Sequence, residues 1–137
     1  MADTGSDRAD EDGWPKGVGA ITLFVDDLDE AKRFYAEAFG LPVHFADVNS
    51  VVFNFGNTIV SLLATSAARS LVEPATVAQR DGGSGVQLTI RVDDVDAMCA
   101  KLAARGVDLL NGPIDRPWGI RTASFIDPGG HIWEIAH

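Results

Sequence analysis

Aliphatic residues occupy every second position along two short segments of the chain, 20–25 and 87–92, and most of the positions between them are small or polar. This period of two predicts a β-strand with one buried face. Each segment leads into an apolar pattern with helical spacing that ends at a glycine, Gly40 in the first case and Gly106 in the second. Glycine readily adopts the left-handed conformation at the end of a helix. The pattern therefore predicts a strand followed by a helix, twice.

A short motif marks the same point in both copies. Val25-Asp26-Asp27-Leu28-Asp29 returns 67 residues later as Val92-Asp93-Asp94-Val95-Asp96, and an aspartate at this place can cap the helix that follows. A repeat of this length indicates two similar modules packed face to face, rather than the short units of a solenoid. Two copies of one sheet can enclose a cup.

The remaining apolar segments predict three further strands in each module, so that both have the order strand, helix, strand, strand, strand. These strands cover 42–47, 51–55 and 58–63 in the first module and 107–110, 120–126 and 131–136 in the second. Between the modules lies a connector in which 74–80 could form a short helix. The predicted organisation is a flexible acidic tail at 1–17 and a single domain at 18–137, divided into module one at 18–64, the connector at 65–84 and module two at 85–137.

Composition and charge argue against several classes of partner. The chain has 137 residues and a net charge of −9, and five of its acids lie in the first thirteen residues. It has no cluster of lysine and arginine, which argues against nucleic acid as a partner, and no apolar run that approaches the ~18 residues of a membrane span. Cys99 is the only cysteine, so no internal disulfide can form, and no signal peptide is evident. We expect a cytoplasmic protein.

Strand periodicity also predicts which side chains point away from the helices. The more apolar set of each first strand, such as Leu23 and Ile90, should be covered by its helix, and in the last strand Trp133 and Ile135 should lie beneath it. Glu134 then points to the opposite side, which we call the cup face. The residues predicted on this face are Ala20, Thr22, Phe24, Ile59, Ser61, Leu63, Gln87, Thr89, Arg91 and Glu134.

Several polar or aromatic residues could carry chemistry. A carboxylate inside an apolar strand, such as Glu134, needs a cation, a metal or hydrogen-bond donors, although a solvated glutamate at a sheet rim is also common. Arg91 could hold an anion, but both it and Arg121 could equally be solvated or paired with an aspartate. Trp118 could stack on a flat ligand or pack against the protein. His131 has the wrong parity for the cup face and is expected at the surface.

The chain ends in the run Arg121-Thr-Ala-Ser-Phe-Ile-Asp-Pro-Gly-Gly-His-Ile-Trp-Glu134 and three further residues. Together with the order of elements and the doubled Val-Asp-Asp motif, this run resembles the vicinal oxygen chelate superfamily, the group of glyoxalases, bleomycin resistance proteins and extradiol dioxygenases. The resemblance covers about residues 18–137. It implies an α+β fold of paired βαβββ modules, which form a U-shaped, cup-like mixed sheet with helices on the outer face, often completed by a second chain in a homodimer.

In metal-using members of that superfamily four cup positions carry the ligands, and the resemblance places them here at Ala20, Ser61, Gln87 and Glu134. Glu134 matches the pattern and Gln87 can offer an amide oxygen, but Ala20 has no donor atom and Ser61 is a poor ligand. Two protein ligands seldom hold a divalent ion where three or four are normal. We therefore expect no metal cofactor.

This departure favours the bleomycin-resistance branch, whose members bind a small molecule without a metal, commonly an antibiotic or an aromatic compound. The expected partners are such a ligand and a second copy of the chain. The candidate ligand-binding residues are Thr22, Phe24, Ile59, Ser61, Leu63, Gln87, Thr89, Arg91, Trp118, Arg121 and Glu134.

Other functions stay open. A metal-dependent lyase, isomerase or dioxygenase like glyoxalase would need His44 or a residue of a partner chain to complete the metal sphere. A metal-free enzyme would use Glu134 as a general base, and a structural or regulatory subunit would use the cup for neither purpose. The two modules could close on each other or on those of a second chain, and the identity and charge of the ligand stay open.

Overall fold

The structure is a computed structural model of the chain, and it describes residues 17–137. All of the predicted acidic tail except Gly17 lies outside the described residues. The strands are β1 (Ala20–Val25), β2 (Phe45–Ala46), β3 (Ser50–Asn54), β4 (Ile59–Ala64), β5 (Gln87–Arg91), β6 (Leu109–Asp115), β7 (Arg121–Ile126) and β8 (Ile132–Ala136), and the helices are α1 (Leu28–Phe39), α2 (Thr65–Val72) and α3 (Val95–Ala104).

The strands form two four-stranded mixed sheets with the same topology. Sheet 1 has the order β1-β4-β3-β2 and sheet 2 the order β5-β8-β7-β6. The first and last strands of each module pair in parallel, β1 with β4 and β5 with β8, while the other pairs are antiparallel. This arrangement confirms the predicted α+β class and its two βαβββ modules.

The repeated motif performs the same task in both modules. Asp27 is the N-cap of α1 and accepts a hydrogen bond from the backbone N–H of Glu30 at 3.0 Å. Asp94 caps α3 in the same way, from the N–H of Ala97 at 3.0 Å. Each carboxylate satisfies one of the N–H groups that have no partner inside the helix. Gly40 then ends α1 in the left-handed conformation, with φ 65°.

The helix-covered faces of both sheets meet in one hydrophobic core. Tyr35 of α1 is fully buried, and its ring lies 6.0 Å from that of Trp133 in sheet 2, measured between ring centres. Phe55, which follows β3, stacks on Trp133 at 5.5 Å. Since both sheets contribute their helix-covered faces to this core, the cup faces of both sheets lie on its outside.

A buried polar network joins α1 to the turn between β7 and β8. The Tyr35 hydroxyl donates to Oδ2 of Asp127 at 2.5 Å and accepts from Nε1 of Trp133 at 2.9 Å. The backbone N–H of His131 donates to Oδ1 of Asp127 at 2.7 Å, and the His131 ring lies within 2.8 Å of Oδ2. The expectation that His131 lies at the surface is therefore wrong: its side chain is only 17% exposed, because it folds back onto this carboxylate.

The connector differs from its prediction. A helix forms at Thr65–Val72 and none at 74–80, so the predicted short helix is wrong. Ala68 in this helix is fully buried and the helix contacts β1 and β4, which stabilises the earlier segment. Pro74 then disfavours helical geometry in the residue before it, and Glu73 is accordingly extended, with ψ 139°. None of the helices within residues 17–137 is both long and apolar enough to cross a membrane.

Candidate functional site

The cup face of sheet 1 is a neutral wall. Thr22 lies beside Ser61 in the parallel pair of β1 and β4, Phe24 beside Leu63, and one further pair joins Ala20 to Ile59. The strand positions that β2 and β3 add to this face are also uncharged; they are Phe45, Ser50, Val52 and Asn54. This register brings together all six residues of module one that strand parity predicted on the cup face, and the surface that they form consists of apolar and small polar side chains.

The cup face of sheet 2 is polar and charged. The register places Thr89, Glu134 and Ser124 side by side on β5, β8 and β7. The Thr89 hydroxyl donates to Oε1 of Glu134 at 3.0 Å, so the predicted carboxylate has a donor on its neighbouring strand. Arg91 and Gln87 lie one step to either side of Thr89 along β5, on the same face.

An irregular strand brings a further cation to this face. β6 pairs with β7 through two register shifts, so that both Asn111 and Ile114 lie opposite cup-face residues of β7. Gly112, at φ 88°, makes this close approach possible, because a Cβ there would lie 2.6 Å from the carbonyl oxygen of Thr122. Beyond β6, Arg116 folds back over β7, and its Nε donates to the hydroxyl of Thr122 at 2.8 Å.

Arg116 lies beside an open aromatic ring. Its guanidinium carbon is 6.0 Å from the ring centre of Trp118, a distance at the limit of a cation–π contact. Trp118 belongs to the turn before β7 and is 67% exposed. Arg116 is not among the predicted site residues, because the predicted strand ends at 110; the Gly112-Pro113 pair could have indicated a bulge there.

Arg121 lies apart from these residues. Its guanidinium donates two hydrogen bonds to Asp96 of α3, at 2.8 and 3.0 Å, and one to Asp115 of β6 at 2.9 Å. Because Asp96 belongs to the helix that covers sheet 2, the structure places this predicted ligand-binding residue on the opposite face from Glu134. The hydrogen bonds from Arg121 hold the pKa of Asp96 below its ordinary value.

The chain matches a known family over nearly all of the described residues. The model of the Glyoxalase/Bleomycin resistance protein/Dioxygenase superfamily matches residues 17–135. The chain belongs to this superfamily. The match confirms the resemblance drawn from the repeated motif and the terminal run.

One relative found by sequence and two solved structures are similar to this chain. The chain is 31% identical over 119 residues to the uncharacterised protein YraH of Bacillus subtilis (strain 168), a match that covers 84% of this chain and 93% of YraH. A glyoxalase/bleomycin resistance protein/dioxygenase from Nocardioides superposes with a TM-score of 0.80 at 22% identity, over 89% of this chain and 83% of that one. A glyoxalase-related enzyme from Fulvimarina pelagi has a TM-score of 0.77 at 29% identity, over 89% and 88%. At 22% identity, the likeness to the Nocardioides protein supports the shared fold and not a shared function.

The four positions that would carry a metal in this superfamily do not offer a fitting donor set. Ala20 and Ser61 lie on sheet 1, where the first has no donor atom, while Gln87 and Glu134 lie on neighbouring strands of sheet 2 but out of register by two residues. Among residues 17–137, no group of three or more His, Cys, Asp and Glu side chains could hold a metal ion. His44, the alternative ligand, precedes β2 with an exposed side chain.

Proposed function

We propose that this protein binds a small aromatic molecule, such as an antibiotic or a related natural product, in a metal-free cup, in the manner of bleomycin resistance proteins. The observation that carries the proposal is the neutral wall of sheet 1, where a metal-using member would hold two ligands and this chain has Ala20 and Ser61. Apolar walls with a few placed polar groups are typical of small-molecule sites. The polar groups here come from sheet 2.

We propose further that two copies of the chain complete the cup, with sheet 1 of one facing sheet 2 of the other. Both cup faces lie outside the core of a single chain, and each carries exposed apolar side chains. Phe45 on sheet 1 is 54% exposed, and Ile114 and Ile126 on sheet 2 are 39% and 41% exposed. Pairing would cover this apolar surface. Light scattering during size-exclusion chromatography should give twice the mass of the 14.6 kDa chain, as expected of a homodimer.

Isothermal titration with bleomycin, other aromatic antibiotics and glycopeptides tests the binding function. The variant Phe24→Arg places a charge in the apolar wall, and we expect it to lose at least about tenfold in affinity, since a buried unpaired charge is costly. Val48→Arg is the matched control, because Val48 is 89% exposed in the loop between β2 and β3. A protein that binds none of the panel, or whose Phe24→Arg variant binds as the parent does, would contradict the proposal.

A metal-dependent glyoxalase-like enzyme is the second candidate, and it is supported by Glu134 on the cup face and by the likeness to the glyoxalase-related enzyme from Fulvimarina pelagi. Elemental mass spectrometry, after incubation with divalent ions and desalting, separates the two functions. About one Ni, Zn, Fe or Mn per chain, lost in Glu134→Ala, together with turnover of a glutathione hemithioacetal, would favour the enzyme. We expect no retained metal.

A further inference from the structure

We propose that the ligand of the cup is a planar aromatic anion, whose acidic group is bound by Arg91 and Arg116 and whose ring stacks on Trp118. This inference rests on the proposed small-molecule function and adds to it the charge of the ligand. It uses a residue, Arg116, that reaches the cup face only through the irregular pairing of β6.

Arg91 and Arg116 flank one row of the cup face. Arg91 of β5 pairs with Ala136 of β8, which pairs in turn with Thr122 of β7, and Arg116 is bound to the hydroxyl of Thr122. Neighbouring strands are about 4.8 Å apart, so the row spans roughly 10 Å from Arg91 to Thr122. Two arginine side chains can converge over that distance, across the small side chain of Ala136, which is 3% exposed.

Neither of these cations has a carboxylate partner among the described residues. No acidic oxygen of residues 17–137 lies within 4.0 Å of the nitrogens of Arg91 or Arg116, whereas Arg121 on the opposite face has two acidic partners. Arg116 is instead held by two neutral oxygens, those of Thr122 and Asn111. These contacts orient the guanidinium without neutralising its charge, which leaves its remaining donors for a ligand.

Closing the cup would not supply the missing anion. The strand positions on the cup face of sheet 1 are all uncharged, so the strands of a second copy that faces sheet 2 with this wall bring no counterion. Glu134 lies in the next row and already accepts a hydrogen bond from Thr89, which leaves two cations against one carboxylate on this face. Since cations buried without partners are costly, a carboxylate, phosphate or sulfonate on the ligand would stabilise the closed cup.

Trp118 would bind the aromatic ring of the ligand, while the arginines bind its acidic group. Its ring is open to solvent and lies next to the guanidinium of Arg116, so a flat ligand stacked on the indole would carry its acidic group towards Arg116. Aromatic rings favour offset stacking at a few ångströms from such a surface. The neutral wall of sheet 1, with Phe24 and Leu63 as neighbours, would cover the other face of the ligand.

The experiment compares two probes of equal shape, 2-naphthoate and the uncharged 2-naphthamide, by isothermal titration. We expect the carboxylate to bind at least about tenfold more tightly than the amide, because charge-assisted bidentate hydrogen bonds form only with the anion. Arg116→Gln and Arg91→Gln should each reduce this preference to roughly threefold or less, with Arg116→Lys between Arg116→Gln and the parent. Arg33→Gln, at an exposed position of α1, changes the net charge equally and should leave the preference unchanged.

The outcomes separate this inference from the function on which it rests. If both probes bind equally and Arg116→Gln changes neither, the anion site is wrong while the aromatic binding function stands. If neither probe binds and the antibiotic panel also fails, both proposals are wrong. Circular dichroism of each variant establishes that it is folded, and if Arg116→Gln does not fold, Arg116→Lys and Arg91→Gln carry the comparison.

Discussion

The two faces of sheet 2 use polar residues in opposite ways. On the helix-covered face, the buried groups of Tyr35, Asp127 and Trp133 bind one another, and within residues 17–137 no buried side-chain nitrogen or oxygen lacks a partner. On the cup face, Arg91 and Arg116 have no acidic partner among residues 17–137. Polar groups that stabilise the fold have partners within it, whereas the two arginines that we propose to bind a ligand keep free donors.

Replacement of Asp127, on the helix-covered face, should cause the largest loss of stability. Asp127→Ala removes the acceptor of the Tyr35 hydroxyl and of the His131 backbone N–H. Each buried donor left without a partner costs about 1–3 kcal/mol, so we expect the free energy of unfolding to fall by roughly 3–5 kcal/mol in urea titrations. Asp127→Asn retains one acceptor oxygen and should lose less. Equal losses in the two variants would show that the hydrogen bonds are not the cause.

Gly112→Ala, at the edge of the cup face, should cause the next largest loss of stability. A Cβ there would lie 2.6 Å from the Thr122 carbonyl oxygen and 2.7 Å from the Ala123 Cα, at φ 88°. The left-handed conformation alone costs about 1–2 kcal/mol, and the displaced strand should raise the loss to about 2–4 kcal/mol. Because Arg116 follows this strand, binding of 2-naphthoate should weaken as well.

Gly119→Ala is the matched control for that variant. Gly119 has a similar φ of 95°, but a Cβ there would meet nothing within 4 Å. It should therefore show the conformational cost without the close approach, about 1 kcal/mol. If both glycine variants are equally stable, the approach of β6 to β7 is not what requires Gly112.

Strand parity predicted much of this comparison from the sequence alone. A period of two, with a helix that must cover the apolar set, correctly separated Trp133 and Ile135 from Glu134. It also placed Thr89 and Arg91 on the same side as Glu134. This worked because β5 and β8 are regular, so each side chain is assigned by counting.

Prediction from the sequence failed where the backbone is irregular or where a side chain is bound by a partner that the strand pattern does not reveal. Arg116 follows two register shifts, so no count along the chain places it on the cup face. Arg121 is separated from it by only five residues, yet two aspartates distant from each other in sequence neutralise it. His131 turned inward because a buried carboxylate four residues earlier binds both its backbone and its ring. Such partners depend on tertiary structure and not on periodicity.

Tyr35→Phe should have a smaller effect than the loss of Asp127, about 1–3 kcal/mol in the free energy of unfolding. Burial, and then the nearby Asp127 carboxylate, raise the pKa of Tyr35 above its ordinary value of 10.0. A group whose pKa is raised by folding contributes stability below its unfolded pKa and loses it as the pH rises further. The parent should therefore become less stable above about pH 10, and Tyr35→Phe should not show this alkaline loss.

The phenolate absorbance provides a direct measurement, because Tyr35 is the only tyrosine in the chain. We expect that absorbance to appear only together with the loss of secondary structure in an alkaline titration. Ionisation of the tyrosine in a protein that is still folded, as judged by circular dichroism, would mean that the network with Asp127 and Trp133 opens in solution.

Arg121→Gln should give the smallest change in stability, since partly exposed ion pairs contribute little. Arg121 lowers the pKa of Asp96 from 3.8, so its contribution is present above that pH and is lost as the pH falls through the lowered pKa. Carbon-detected NMR titration should find the Asp96 pKa nearer 3.8 in the variant, and the stabilities of parent and variant should converge at acidic pH. Binding of 2-naphthoate should be unchanged, in contrast to Arg116→Gln. Loss of binding in Arg121→Gln would contradict the proposed difference between the two faces, because the helix-covered face of sheet 2 would then also contribute to ligand binding.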